Sequence, residues 1–286
     1  MEKNPTKLNI VSIQLGGYKG SYSKQINHIQ EMINESVINY NPDLILLPEL
    51  MTVPYFSITR DPIFFKLSET IQGPTVKRML AIAKEMNVYI IFTIFERRKV
   101  NKNFKYFNTA VIVSPEKVVG TYSKTHIPQG ETPTSKVDER YYFQADNTLP
   151  VFKVKGITIG ILICYDRSFP EAARTLSLQG AQILFIPSCT LREREIIWIE
   201  ECKARARENE IFVIGANRGG EEKLSLKDQQ LVRHYCGSSL IINPDGEILK
   251  KAPFNIGDKS ISSKIDSTKN GITFKKDRRP ELYKIE

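Results

Sequence analysis

Cys164 closes the apolar run GITIGILIC and is followed by Tyr165 and then Asp-Arg-Ser-Phe-Pro-Glu. A cysteine at a strand end, ahead of a helix start, is placed like a nucleophile, with a rigid backbone behind it. Ser168 and Glu171 fit an S-x-x-E capping box, which puts Phe169 and Pro170 in the first helical turn. A helix opening there turns a positive dipole end and free backbone N–H groups toward the sulfur. Both favour the thiolate and can hold an oxyanion. Taken alone, the same residue also reads as a buried structural thiol.

A thiol nucleophile needs a proton acceptor, and the chain has 3 histidines. His28 falls on a polar helix and His234 in the charged loop DQQLVRHYCG, which leaves His126 as the histidine candidate. A carboxylate could serve instead. Glu49 ends the apolar strand DLILLPEL, where burying an acid is costly unless it is paired or functional. Desolvation raises its pKa toward neutrality, as a general base requires. Lys124, in GTYSKTHIP, is a cation just past another strand. Each also has a structural reading, an acid capping a strand end and a surface lysine in a loop. Jointly, Glu49, Lys124 and Cys164 each follow a buried strand.

Strands and helices must bring such distant residues together. LNIVSIQL (8–15) and DLILLPEL (43–50) read as strands, with a helix over 24–39 between them. GPTVKRMLAIAKEMN (73–87) reads as a helix with Pro74 in its first turn. VYIIFTIFE and NTAVIVSPE are strands, and SLQGAQILFIPSC joins a helix end at Gly180 to a buried strand. EIIWIEECKARARENE is helical, IFVIGANRGG is a strand, and GSSLIINPDGEIL is a hairpin about Asn-Pro-Asp-Gly. Some strands are apolar throughout and others alternate, so the expected fold is α/β, layered, with mixed sheets. One domain over 1–286 is expected, with 266–286 as a C-terminal arm that lies loose or packs on a neighbouring subunit.

The 286 residues are 41% hydrophobic and 26% charged, ordinary globular composition. The net charge of +9 is spread among acids along the chain, so a basic surface is expected rather than a nucleic-acid site. No apolar run is long enough to span a membrane, and the N-terminus shows no signal segment. The 4 cysteines form no CxxC pair and no zinc spacing with histidine. Reduced thiols in the cytoplasm are therefore expected, with Cys202 and Cys236 structural.

LPEL, YSKTHIP and ICYDRSFPEAAR, in that order, resemble the three signature blocks of the carbon–nitrogen hydrolase (nitrilase) superfamily. YFNTAVIVSPEKVVGTYSK, ERYYFQADNTLPVF, LQGAQILFIPS, NRGGEE and the terminal RRPELYK extend the likeness along nearly the whole chain. The resemblance implies a four-layer α-β-β-α sandwich with two mixed β-sheets, a homodimer or larger homo-oligomer, and neither metal nor organic cofactor. It also implies that Glu49 is the general base, Lys124 the catalytic lysine and Cys164 the nucleophile. Glu139 falls where many members carry a second glutamate and is expected to hold Lys124 by charge pairing. The oxyanion would then meet Lys124 and the backbone N–H of Tyr165.

Within the superfamily, CYDRSFPE and VDERYYF resemble the N-carbamoyl amino acid amidohydrolases. The resemblance makes Arg167, at the pocket's edge, a bidentate site for a substrate carboxylate. Two features of the D-amino-acid enzymes are missing, since Ser168 and Val137 replace a second arginine and a histidine. N-carbamoylputrescine amidases also match along the length, but a cationic substrate would not welcome Arg167 unless that side chain pairs with Asp166. The expected small-molecule substrate is an N-carbamoyl amino acid. The alternatives are an N-carbamoylputrescine-type substrate, plain amide or nitrile hydrolysis, and a degenerate binding protein. Cys189 and Thr190 are expected to line the pocket.

Overall fold

The structure is a computed structural model that describes residues 7–132, 135–226, 229–268 and 277–283. The first half of the chain runs β1 (Lys7–Gln14), α1 (Tyr22–Tyr40), β2 (Leu44–Leu46), α2 (Pro74–Met86), β3 (Tyr89–Val100), β4 (Asn103–Val113) and β5 (Val118–Ser123). A small hairpin, β6 (Gln129–Thr132) with β7 (Ser135–Asp138), and the single turn α3 (Glu139–Tyr142) lead to the second half. There follow β8 (Val151–Val154), β9 (Ile157–Ile161), α4 (Pro170–Leu178), β10 (Ile183–Pro187), α5 (Glu195–Asn209) and β11 (Phe212–Ala216). The hairpin β12 (Gly219–Leu226) with β13 (Gln229–Cys236) precedes β14 (Leu240–Ile242), β15 (Ile248–Lys251) and β16 (Lys259–Asp266).

Two six-stranded sheets result, ordered β16-β1-β2-β3-β4-β5 and β15-β14-β11-β10-β9-β8. Their wiring matches. In one, β1, β2 and β3 are parallel with antiparallel strands on both flanks; in the other, β9, β10 and β11 take the same part. Successive residues of a strand face opposite sides, so strands that read as continuously apolar must be covered on both. Ile10, Leu44, Leu46 and Ile91 meet Ile159, Ile161, Phe185 and Ile214 between the sheets. Their neighbours Val11, Ile45 and Ile90 pack outward on Ile29 and Ile33 of α1 and on Met79 and Ile82 of α2. On the other side Leu184, Ile186 and Val213 pack on Leu176 of α4 and on Trp198, Cys202 and Ala206 of α5. The expected α-β-β-α sandwich with mixed sheets is thus the observed one. Each such Ile or Leu, fully buried, contributes about 1.5–3 kcal/mol.

Most element ends follow the sequence. Pro74 opens α2 and Asn87 ends it in a left-handed turn. Two readings are corrected. DQQLVRHYCG is no loop: Gln229–Cys236 is a strand paired antiparallel with β12, whose mixed polarity hid it. The Ser168–Glu171 capping box is absent as well. The N-cap of α4 is Phe169, with no side-chain cap bond, and Pro170 has no N–H that needs one. Much of the expected arm over 266–286 falls outside the described residues; within it Asp266 ends β16, and a short turn at Pro280–Leu282 leaves Leu282 and Tyr283 exposed. No helix among the described residues is long and apolar enough to cross a membrane.

Candidate active site

Glu49, Lys124 and Cys164 follow β2, β5 and β9, and the two sheets bring them to one place. Glu49 is fully buried. Its Oε1 accepts from Lys124 Nζ at 2.9 Å and from Asn108 Nδ2 at 2.7 Å, and its Oε2 accepts from Cys189 Sγ at 2.7 Å. Lys124 Nζ also donates to Glu139 Oε2 at 2.8 Å, and Tyr55 donates its hydroxyl to Glu139 Oε1 at 2.7 Å. The ammonium is therefore held between two carboxylates with no exposure to water. The sulfurs of Cys164 and Cys189 and a carboxylate oxygen of Glu49 all lie within 4.8 Å of one another. Among the described residues this is the one trio that could share a cation, and the adjacent Lys124 ammonium opposes one.

The electrostatics follow from burial and pairing. Desolvation raises the Glu49 carboxyl to about 7, negative charge on Cys164 adds to the rise, and Lys124 only partly offsets it. The Cys164 thiol is held well below its ordinary value, first by a hydrogen bond from Cys189 and then by the charges of Lys124 and Arg167 against desolvation. Cys189 has one proton to give, so it serves Glu49 or the Cys164 sulfur at any moment. Burial keeps that proton on, raising the Cys189 thiol well above the usual range. Burial alone would strip Lys124 of its proton, but Glu139, Glu49 and Cys164 together hold its pKa well above normal.

Cys164 begins a 3-10 turn, Cys164–Ser168, with its own φ at 49°, in the left-handed region. A residue with a side chain pays about 1–2 kcal/mol there, so the turn must be held from outside. Asp166, fully buried, does this: it accepts from the N–H of Ile163 at 3.0 Å, the N–H of His126 at 2.8 Å and the hydroxyl of Tyr122 at 2.7 Å. It thus ties the Lys124 loop to the Cys164 turn. The Glu49 loop has its own clamp. Buried Arg218 donates to the carbonyls of Leu50 and of Val53 (2.7 Å) and pairs with Glu222, which accepts from the N–H of Tyr55 at 2.8 Å.

The other expected residues are placed as follows. Arg167 is not open at the pocket's edge. Its Nε lies 3.0 Å from Glu201 of α5, its Nη1 donates to the Cys164 carbonyl at 2.7 Å, and its guanidinium covers Trp198. Nη1 also stands 3.8 Å from the Cys164 sulfur, so its charge acts on the thiol. The pairing partner is Glu201 rather than Asp166. Thr190 spends its N–H on Asn217 and its hydroxyl on Ser188, while Cys189 faces Glu49. His126 is taken by Asp166 at 2.9 Å and stacks on Phe169; His28 pairs with Asp258 and His234 lies by Glu221. Cys202 and Cys236 are buried thiols, each pushed up to about 12 by desolvation. Tyr165 stands in the first turn, where backbone N–H groups lack helical partners, with its ring packed on Phe169. Sequence reasoning missed Asn108, Tyr55, Asp166, Arg218 and Glu222. Asn108 had a signal, as a lone amide inside the apolar strand YFNTAVIV.

Residues 9–266 match the carbon–nitrogen hydrolase family. An N-carbamoylputrescine amidase of Oryza sativa subsp. japonica is 32% identical over 277 residues, covering 92% of this chain and 89% of the relative. A citrullinase of Francisella tularensis is 28% identical, covering 96% of each chain. The crystal structure of a carbon–nitrogen hydrolase from Helicobacter pylori G27 superposes with a TM-score of 0.84 at 25% identity, covering 98% of each chain. The chain belongs to the carbon–nitrogen hydrolase family. It is a C–N hydrolase of the amide and ureido class.

Proposed function

We propose that the chain hydrolyses a small ureido compound, R–NH–CO–NH2, with Cys164 as nucleophile, Glu49 as acid and base, and Lys124 as the cation facing the oxyanion. The observation that carries this reading is the convergence of a buried carboxyl near neutrality with a thiol held low and an ammonium fixed between two carboxylates. Glu49 holds the proton given up by the Cys164 thiol, and the thiolate adds to the carbonyl. The tetrahedral oxyanion draws on Lys124 and the N–H of Tyr165. Glu49 returns the proton to the departing nitrogen, and water activated by Glu49 then cleaves the S-carbamoyl intermediate. The sum is R–NH–CO–NH2 and water giving R–NH2, ammonia and carbon dioxide. Glu139 keeps Lys124 aimed and charged.

The R group is the finer question. A carboxylate-bearing substrate was expected from Arg167, but that guanidinium is engaged by Glu201 and by the Cys164 carbonyl. We therefore place an N-carbamoyl amine ahead of an N-carbamoyl amino acid, a ranking also supported by the relatives that are N-carbamoylputrescine amidases. The test is ammonia release from a panel of carbamoyl amines, carbamoyl amino acids, amides and nitriles. Arg167→Ala removes charge-assisted bonds and is expected to lower kcat/KM about 10–100-fold on every substrate alike. A loss confined to the carboxylate-bearing members would restore Arg167 as their anchor.

The reaction also has a pH signature. The productive pair holds one proton shared between Glu49 and Cys164, and with Glu49 at about 7 that proton is lost as pH rises through neutrality. Activity on the preferred substrate is expected to fall above pH about 7 for want of an acid to protonate the leaving nitrogen. Alkylation of Cys164 by iodoacetamide should stay fast across the same range, because the thiolate persists. Parallel profiles for the two rates would contradict this division of roles.

A further inference from the structure

Hydrolysis requires one thiol, yet the site holds two. Cys189 is 6% exposed, its sulfur bonded to Glu49 and within 4.8 Å of that of Cys164. Cys164 itself is only partly buried, so small solutes can reach it. Cys202, on α5, packs against the outer face of the second sheet. Cys236 packs in that same outer cluster, with its thiol against Asn217. Cys164 and Cys189 are thus a reachable sulfur with a sheltered sulfur beside it, and a carboxylate in contact with the sheltered one.

We propose that Cys164 and Cys189 form an oxidation couple, in which a hydroperoxide oxidises the Cys164 sulfur and Cys189 closes it into a disulfide that thiols can reopen. In the first step the Cys164 thiolate attacks the peroxide, the O–O bond breaks, and Cys164 becomes a sulfenic acid while the other oxygen leaves as hydroxide or alkoxide and takes a proton from water. In the second step the Cys189 sulfur attacks the sulfenic sulfur. The S–S bond forms, the S–O bond breaks, and the hydroxyl leaves as water with the proton that Glu49 carries over from Cys189. Two electrons pass from the two sulfurs to the peroxide. The sulfurs start within 4.8 Å of each other, so closing the S–S bond requires a side chain to turn and gives up the Cys189–Glu49 hydrogen bond. The couple diverts Cys164 from sulfinic acid, a state that thiols do not reverse. This goes beyond the hydrolytic reading, since it depends on the sulfurs and on no substrate.

The experiment treats the whole protein and its Cys189→Ser variant with stoichiometric hydrogen peroxide, blocks free thiols, and maps tryptic peptides without reduction. Wild type is expected to yield the peptide 156–167 joined to 175–192, two hydrogen masses below their sum, and dithiothreitol should release both. The variant should instead accumulate sulfinic acid on 156–167, at least about tenfold above wild type at equal exposure. Absence of the joined peptides in wild type overturns the proposal, as does sulfinic acid forming equally fast in both proteins. The wild-type map decides even if the variant does not fold. Because the readout is mass, a failure of the ureido reading leaves it intact, and a failure here leaves hydrolysis untouched.

Discussion

Cys164→Ala is expected to cut ammonia release by at least about 10⁴-fold while the protein stays folded. No neighbouring group can replace the sulfur. Cys189 keeps its proton through burial, and its thiol is turned to Glu49. Alanine carries the same left-handed backbone strain at φ 49° that cysteine does, and the bonds of Asp166 that hold the turn do not involve the sulfur. The turn should therefore survive. Circular dichroism and the thermal midpoint measure the fold, and ammonia release measures the reaction. Turnover within tenfold of wild type would remove Cys164 from the mechanism.

Lys124→Met should cost both activity and stability. The ammonium sits between Glu49 and Glu139 with no exposure, so its removal leaves two buried carboxyls without a counter-charge. Breaking such a pair costs about 3–5 kcal/mol. The loss of oxyanion stabilisation should lower kcat by at least about 10³-fold. The sign of the pH dependence is fixed. Burial already raises both carboxyls, and without Lys124 they rise further, so ionising them in the folded state is penalised more. A raised folded pKa gives stability below the unfolded value that is lost as pH rises, so the deficit against wild type should widen from pH 5 to 8 and narrow in acid. A thermal midpoint equal to that of wild type at pH 8 would show that the carboxylates do not depend on Lys124.

Lys124 and Cys164 stand out in the sequence through the resemblance of YSKTHIP and ICYDRSFPEAAR to family signature blocks, and Glu49 also because burial makes a carboxylate in an apolar run expensive. The layers were legible because runs apolar on every residue demand cover on both faces. The pairing of Arg167 was not legible because its partners, Glu201 and Trp198, come from α5, and no local pattern says where a later helix will lie. The capping box failed through competition. Asp166 accepts the N–H of Ile163 and closes a turn earlier than the Ser168–Glu171 pair would. Arg218 and Glu222 look like surface charges in NRGGEE, and only the folded loop at 49–55 shows the carbonyls and amides that they satisfy.

The antiparallel pairing of β16 with β1, Lys7 opposite Asp266, has a consequence for synthesis. The outermost strand of the first sheet, β16, comes off the ribosome after every strand of the second, so β1 waits with an open flank while that sheet is being made. Such a bare edge invites pairing with another nascent chain, and closing it late joins residues far apart in the sequence, Lys7 with Asp266. Stalling or truncation before residue 259 would leave a protein that carries Glu49, Lys124 and Cys164 yet remains sticky along one side.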